Sequence, residues 1–130
     1  MYRAVTRGIQ ITVTPRYLAE RSSVEDDRYF WAYTIEIVNM GPTTVQLKNR
    51  HWKITDGRGQ MQEVRGPGVV GEQPVLGPGE RFEYTSGVPL TTPTGLMAGS
   101  YEMVSEGGEK FEAEVPPFSL DSPHGKRVLH

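Results

Sequence analysis

Cysteine is absent from this chain of 130 residues, and histidine occurs at three positions, His51, His124 and His130. Without cysteine the chain has no disulfide framework, no thiol nucleophile and no cysteine-based zinc site. No two of the histidines have the spacing of a metal-ligand pair. We therefore expect no metal site and no cofactor, and we interpret His51, between Arg50 and Trp52, as a strand residue with a hydrogen-bonded ring.

Long apolar runs are also missing. No segment approaches the roughly 20 apolar residues of a transmembrane helix, and Met1-Tyr2-Arg3 leads into a polar segment rather than into the apolar region of a signal peptide. We therefore expect no membrane interaction and a cytoplasmic location, with which the lack of cysteine is compatible. An excess of one charge is missing too, because 14 basic and 16 acidic residues give a net charge of -2. This balance predicts no nucleic-acid binding.

The chain is instead rich in glycine and proline, with 15 and 10 residues, placed between short segments in which apolar and polar residues alternate. The strongest of these segments is 29–38, where Trp31, Tyr33, Ile35 and Ile37 fall on one face. A period of two with β-branched and aromatic residues is typical of a strand with one buried face. No amphipathic helix and no internal repeat is apparent.

About seven such segments, with turn signals every 8–12 residues or so, predict an all-β protein. We expect a two-sheet antiparallel β-sandwich of the fibronectin type III or immunoglobulin type; the alternative is a barrel built from the same strands. Residues 1–120 are predicted to form a single domain and residues 121–130 a flexible C-terminal tail. Tyr101, after Gly99 and Ser100, is placed like the tyrosine corner of such sandwiches.

One strand shows a break in its alternation. Val45 and Leu47 occupy odd positions, whereas Trp52 and Ile54 occupy even positions. A strict period of two cannot bury both pairs on one face. Either a β-bulge near residues 48–50 absorbs one residue, or the strand changes sheets there.

Prolines predict interruptions later in the chain. Residues 89–99 contain two prolines and are expected to form an irregular connection. Pro116-Pro117 is expected to end the last clear strand, because proline has no N–H group for a ladder hydrogen bond. The acidic run Glu25-Asp26-Asp27 is predicted to lie in a solvated loop rather than to coordinate magnesium through oxygen atoms.

The segment 64–74 contains the pattern G-x-G-x-x-G. It is not a dinucleotide-binding motif, because Pro67 lies inside it and Pro74 and later glycines prevent the helix that such a motif requires. Two interpretations remain open. In the first, backbone N–H groups form an anion-binding nest to which one basic side chain adds charge; the candidate residues are Arg65, Gly66, Gly68 and Gly71. In the second, the glycines serve a tight turn.

No catalytic constellation is visible. Ser86, in Thr-Ser-Gly, is not part of a G-x-S-x-G nucleophile elbow, and the sequence places no two carboxylates at a working separation. We therefore assign no catalytic residue and expect that the protein is not an enzyme; phosphohydrolase activity is the weakest of the functions considered.

Six stretches resemble the ApaG family, in the same order and with similar spacing. They are 29–39, 50–56, 66–74, 78–80, 84–87 and 97–103. The resemblance implies a fibronectin type III-like sandwich in a bacterial cytoplasmic protein, and a link to cobalt tolerance and magnesium efflux. It also implies an interaction module, since related domains occur in an F-box protein and in a polymerase-interacting protein.

Two functions of different classes are compatible with these observations. The first is a non-enzymatic module that binds an unknown protein partner through loops or an open sheet edge, as a monomer or weak homodimer. The alternative is a protein that binds phosphate, pyrophosphate or a nucleotide weakly through residues 65–72.

Overall fold

The computed structural model describes residues 1–125, which form two antiparallel sheets. The strands are β1 Tyr2–Thr6, β2 Ile9–Tyr17, β3 Tyr29–Asn39, β4 Val45–Asp56, β5 Met61–Pro67, β6 Val75–Leu76, β7 Arg81–Leu90, β8 Gly95–Ser105 and β9 Lys110–Leu120. A single 3-10 turn, Ala19–Arg21, follows β2. Among residues 1–125, no helix has the length and apolar character needed to cross a bilayer.

The predicted two-sheet antiparallel β-sandwich is confirmed, but residues 1–125 form nine strands rather than seven. The two additional strands are β1, only partly buried, and β6, which has two residues; neither has a clear period-two pattern. One sheet has the order β1-β2-β3-β7, and the other has the order β5-β4-β8-β9, with β6 also paired to β4.

The core lies between the inner faces of the two sheets. Trp31, Tyr33, Ile35 and Ile37 are all buried on the inner face of β3, as their alternation predicts. The Trp52 ring from the second sheet meets the Tyr33 ring edge-on, with centroids 5.6 Å apart. Full burial of one such large side chain contributes about 1.5–3 kcal/mol, so these strand faces supply much of the stability.

A β-bulge at Lys48 resolves the broken alternation of β4. The pairing of β4 with β8 shifts register between Leu47 and Asn49, so one residue has no partner. The strand stays in its sheet, and the bulge interpretation is therefore confirmed. Because of it, Arg50, Trp52 and Ile54 point to the same side as Leu47.

Two proline-based expectations were wrong. The connection between β7 and β8 comprises only residues 91–94, because Pro89 lies on β7, an edge strand whose unpaired side needs no N–H. Strand β9 likewise continues through Pro116-Pro117 to Leu120. It is also an edge strand, and its register shifts between Met97 and Gly99 of β8, which accommodates prolines.

Tyr101 does not form a tyrosine corner. It lies in the middle of β8, and its hydroxyl is hydrogen-bonded to the hydroxyl of Tyr84 at 2.5 Å rather than to a nearby backbone group. The pair links the two sheets through the core.

The sandwich is closed along one side. Strands β1 and β2 pack against β9. The Tyr2 hydroxyl accepts a hydrogen bond from the Ser119 N–H at 3.3 Å, and the Thr6 hydroxyl accepts one from the Glu114 N–H at 3.1 Å. The opposite side lies between the edges of β5 and β7, each of which pairs with a single strand.

The C-terminal segment is attached to the sandwich as far as it is described. The Trp31 indole N–H donates to the Asp121 carbonyl at 2.7 Å, and the Ser122 hydroxyl donates to the Pro93 carbonyl at 2.7 Å. Residues 126–130 of the predicted tail lie outside the described residues. The domain boundary at residue 120 stays a prediction.

Candidate functional site

The glycine-rich segment forms a tight hairpin turn after β5. Val69 and Glu72 each donate an N–H to the carbonyl of the other, both at 2.8 Å. The two residues between them have positive φ, 42° at Val70 and 80° at Gly71. Positive φ at both central positions is the requirement of a type I′ turn. Gly68, with φ of 62°, precedes the turn, so these glycines serve the local backbone, as the turn interpretation holds.

The four residues proposed for an anion nest do not converge. The N–H of Gly68 donates to the Lys48 carbonyl at 2.9 Å, and the hairpin bonds occupy two further N–H groups of the loop. Arg65 and Gly66 line one shallow depression on the outer face of the sheet, whereas Gly71 lines a different cleft. The Arg65 guanidinium, from a side chain 72% exposed, approaches Glu63 at 3.4 Å. Whether residues 65–72 bind an anion stays a prediction.

The open side of the sandwich contains a cleft of about 450 Å³ between β5 and β7. Its volume falls in the range of small-molecule and side-chain sites. Core side chains reach the surface here. The apolar lining comprises Trp52, Ile54, Val64, Val69, Val70, Val88 and Met97, and the polar lining comprises Tyr33, Arg50, Gln62, Tyr84 and Ser86.

Arg50 is the cation of this cleft. Its Nη1 donates to the carbonyls of Pro67 and Gly68, at 2.9 and 3.0 Å, and thereby ties β4 to the start of the hairpin. A Cβ atom on Gly66 would be 2.9 Å from the guanidinium, so a side chain at this position would displace the end of Arg50. No carboxylate within residues 1–125 forms a salt bridge with Arg50, which leaves its charge available to an anionic group.

Sequence reasoning missed Arg50 as a site residue. The sequence does contain an indication of this role. With a bulge near residue 48, Arg50 lies on the same face of β4 as the buried Trp52 and Ile54. A charged residue on an inward-facing phase is unusual.

Two tyrosines, Tyr33 and Tyr84, line the inner wall of the cleft, and Tyr101 lies behind them in hydrogen-bond contact with Tyr84. Burial raises the pKa of Tyr33, of Tyr84 and of Tyr101 above the ordinary value of 10.0, despite the opposing charge of Arg50. At Tyr33 the nearby Ser86 side chain also opposes the rise in pKa. These hydroxyls are therefore neutral at physiological pH and act as hydrogen-bonding groups rather than as bases.

A second cleft, of about 650 Å³, continues the first and shares Ile54, Gln62 and Pro89 with it. Its far end carries the carboxylates of Asp26, Asp27 and Asp56. We call the combined opening the β5/β7 groove.

Exposed apolar side chains flank the β5/β7 groove. Met61 is 56% exposed, Val64 37% and Val70 57%. Val70 is notable because a β-branched residue at positive φ is strained, by about 1–2 kcal/mol. The type I′ turn imposes this conformation, but it does not call for an exposed β-branched side chain at this position.

The outer face of the second sheet carries a row of paired polar residues. His51 Nε2 lies 2.6 Å from Glu63 Oε2, and Asn49 donates to Glu102 at 2.7 Å. The hydrogen bond from His51, followed by that from Arg65, lowers the pKa of the exposed Glu63 carboxyl. His51 is thus a hydrogen-bonded strand residue, as predicted.

This row does not assemble a nucleophile and base. The Ser100 hydroxyl donates to the Glu112 carboxylate at 2.8 Å. Over residues 1–125 no group of three His, Asp or Glu side chains is arranged to hold a metal ion.

Comparison with known proteins identifies the family. The sequence model of the ApaG domain matches residues 19–105. The chain belongs to the ApaG family. It is similar to Protein ApaG of Rhodopseudomonas palustris, with 68% identity over 130 residues and 100% of both chains covered. It is similar to Protein ApaG of Azorhizobium caulinodans, with 65% identity and the same coverage.

The fold is shared with a solved family structure. A Bordetella pertussis protein named ApaA is 51% identical, with a TM-score of 0.86 and coverage of 89% of this chain and 94% of that one. The resemblance noted in the sequence is therefore confirmed over most of the chain. These family names state no activity, substrate or partner.

Proposed function

We propose that this ApaG-family protein is a non-enzymatic binding module that engages a protein partner through the β5/β7 groove. The observation that carries the proposal is the asymmetry of the sandwich. Its β1/β9 side is sealed by packing and hydrogen bonds, whereas its β5/β7 side exposes core side chains in a groove. Apolar surface flanked by polar groups is typical of interaction sites.

Unpaired strand edges support the same assignment. In the part of the chain that the structure describes, strand β5 pairs only with β4, and it is exposed at nearly every position. An edge strand with apolar residues offers backbone groups and side chains to another chain.

Site-specific photo-crosslinking tests the proposal. A benzophenone amino acid is introduced at Val64 or Met61, in the groove, and irradiated in a lysate of the source bacterium. The control places the same group at Leu96, which is 48% exposed on β8 away from the groove. We expect a discrete crosslinked species, the same from both groove positions and absent from Leu96. Equal products from Leu96, or no discrete product from the groove, would contradict the proposal.

The alternative function, weak binding of phosphate, pyrophosphate or a nucleotide by residues 65–72, is a separate proposal. Exposed Arg65 supports it, while the hydrogen bonds of the Gly68, Val69 and Glu72 N–H groups leave few amides for an anion. The protein-binding function is therefore the better supported of the two.

We extend the proposal to the biological setting that the family resemblance implies. The protein acts in the cytoplasm, as a monomer or weak homodimer, and contributes to cobalt tolerance and magnesium efflux indirectly through its partner. Deletion of the gene, complemented by wild type or by a Val64→Glu variant, tests this extension. Wild type should restore growth in cobalt, and the groove variant should not.

A further inference from the structure

The β5/β7 groove has opposite charges at its two ends. Arg50 and the hairpin turn at Val70 mark one end. Asp26, Asp27 and Asp56 mark the other, with Arg28 as the one basic residue among them. The middle is lined by apolar side chains. An occupant that matches this pattern has a basic group at the acidic end, an apolar stretch in the middle and an acidic group at the Arg50 end.

The carboxylates at the acidic end are not equivalent. Asp56 Oδ1 accepts the N–H groups of Arg58 and Gln60, at 2.9 and 3.0 Å, and so holds the β4–β5 turn. Asp26 accepts the Ser23 hydroxyl at 2.9 Å. Asp27 forms no salt bridge within residues 1–125. Asp27 is therefore the carboxylate best placed to pair with a basic group from outside.

Strand β7 extends along the whole groove. Its segment 84–90 begins at the Arg50 end, with Tyr84 and Ser86, and finishes at the acidic end, with Pro89 and Leu90. Within residues 1–125 no strand pairs with one edge of β7, and along 84–90 only Pro89 lacks an N–H group to donate to an added strand. Seven extended residues span about 23 Å, so an added strand of that length matches the segment.

We propose that the groove binds an extended peptide segment of the partner that runs antiparallel to β7, with a basic residue first, near Asp27, and an acidic residue last, near Arg50. This inference rests on the proposed function. Every strand pair within the two sheets is antiparallel, and antiparallel addition at an edge is favourable. Alternate apolar side chains of the peptide contact Ile54, Val64 and Val88 in the middle of the groove.

Two capped heptapeptides test the polarity. The forward peptide has lysine first, glutamate last and alternating valine and threonine between; the reversed peptide exchanges lysine and glutamate. Each is titrated into the 15N-labelled full chain at low salt, and amide chemical shifts are followed. We expect shifts confined to the residues around the groove, namely β5, β7, 26–28, Arg50 and 69–71. The reversed peptide should bind at least tenfold more weakly, since both charge attractions are lost and repulsions replace them.

Two substitutions test whether the charges of Asp27 and Arg50 contact the ends of the peptide. Asp27 has a φ of 51°, which asparagine tolerates well, so Asp27→Asn removes charge with little effect on the fold. It should weaken the forward peptide about threefold and leave the reversed peptide no weaker. Arg50→Gln should do the same at the other end. Because Arg50 also holds the hairpin, its variant is interpreted only if the amide spectrum stays native, and Asp27→Asn alone suffices otherwise.

The outcomes separate this inference from the proposed function. Equal affinity of the two peptides, tighter binding of the reversed peptide, or no shift in the groove with either peptide overturns the inference. If the groove positions still give a discrete protein crosslink, the proposed function survives without it. If neither peptide binds and the groove gives no crosslink, both are wrong.

Discussion

Val70 combines a strained backbone conformation with an exposed apolar side chain. Its φ of 42° is tolerated well by glycine and asparagine but poorly by a β-branched side chain. Strain of this kind persists at positions where function selects the side chain. We interpret Val70 as a contact residue at the rim of the β5/β7 groove.

Val70→Asn should raise the free energy of unfolding by about 1 kcal/mol, because it relieves the left-handed strain in the turn. Urea denaturation measures the change. Val75→Asn is the matched control, since Val75 is 58% exposed against 57% for Val70 but lies in strand β6 without positive φ. The control should gain nothing. A Val70→Asn variant no more stable than wild type would show that the turn is unstrained.

Trp31 is a residue whose role the sequence predicts. It is 1% exposed, its ring meets that of Tyr17 with centroids 5.5 Å apart, and its N–H bonds the Asp121 carbonyl. Trp31→Ala should lower the free energy of unfolding by roughly 3–5 kcal/mol, as large-to-small core changes do. Urea denaturation tests this, with Trp31→Phe expected to lose clearly less. A loss below ~1 kcal/mol would mean that the side chain is not a core residue.

Prediction from sequence succeeds at Trp31 and fails at Arg50 for one physical reason. The alternation along β3 is uninterrupted, so its faces follow from a period of two. The phase of Arg50 depends on where the bulge in β4 lies. Sequence places that bulge only within residues 48–50, and a shift of one residue reverses the face.

At the scale of single elements, two glycines of the hairpin after β5 differ in the space around them. Gly68 has no room for a side chain, whereas Gly71 does. A Cβ on Gly68 would lie 2.3 Å from the Glu72 carbonyl oxygen, whereas a Cβ on Gly71 would meet open space. Both residues have positive φ. A side chain at either position would therefore cost conformational energy from the positive φ, but only at Gly68 would it also clash with the backbone.

Gly68→Ala should destabilise the fold by more than about 2 kcal/mol, because it adds a steric clash with backbone to the left-handed penalty. Gly71→Ala should cost about 1 kcal/mol from the penalty alone. Denaturant unfolding of both variants gives the comparison. Equal losses would mean that the backbone at Gly68 moves freely to accept a side chain.

Arg65→Ala decides whether the same hairpin has the alternative function. If residues 65–72 bind pyrophosphate, wild type should show amide shifts there at millimolar concentration, about 4 kcal/mol of affinity. Arg65→Ala should weaken those shifts while leaving the midpoint of unfolding nearly unchanged. No movement of these amides at several millimolar pyrophosphate would remove the anion site and leave protein binding alone.

The strand elements show where local sequence signals are overridden. Pro89, Pro116 and Pro117 predict interruptions, yet all three lie within strands. They are tolerated because β7 and β9 are edge strands, and proline at an edge removes a hydrogen bond that the ladder does not need. Edge position is set by the order of strands across the sheet, which alternation along one strand does not report.

For the whole molecule, the sequence predicts a sandwich but not which of its sides is open. Closure of the β1/β9 side depends on contacts such as Tyr2 with Ser119, 117 residues apart. The groove on the other side is likewise built from five separate strands. Such a site forms only when the two sheets pack together. The local glycine pattern could therefore be recognised in the sequence as a candidate site, whereas Arg50 and the groove residues could not.

The tyrosine cluster between the sheets makes the stability of the whole molecule sensitive to alkaline pH. Tyr33, Tyr84 and Tyr101 are 6%, 8% and 0% exposed, and burial raises the pKa of each above 10.0. In the unfolded chain these groups lose their protons near pH 10, while the folded chain keeps them. The unfolded state then binds fewer protons, so stability falls as pH rises.

Each of these tyrosines should contribute in full below pH 10 and lose up to about 1.4 kcal/mol of stability per pH unit above it, towards its folded pKa. Lysine and arginine titrate in the same range, so the informative quantity is the difference between wild type and Tyr84→Phe. Phenylalanine removes one ionisable group but also the hydrogen-bond partner of Tyr101, which should make the variant about 1–3 kcal/mol less stable at pH 8. Above pH 10 that gap should narrow, because only wild type still has the Tyr84 proton to lose on unfolding. Urea denaturation at pH 8, 10 and 11 measures it. A difference in unfolding free energy that stays constant or widens would mean that the Tyr84 hydroxyl ionises equally in the folded and unfolded chains. Burial in the core would then not raise its pKa.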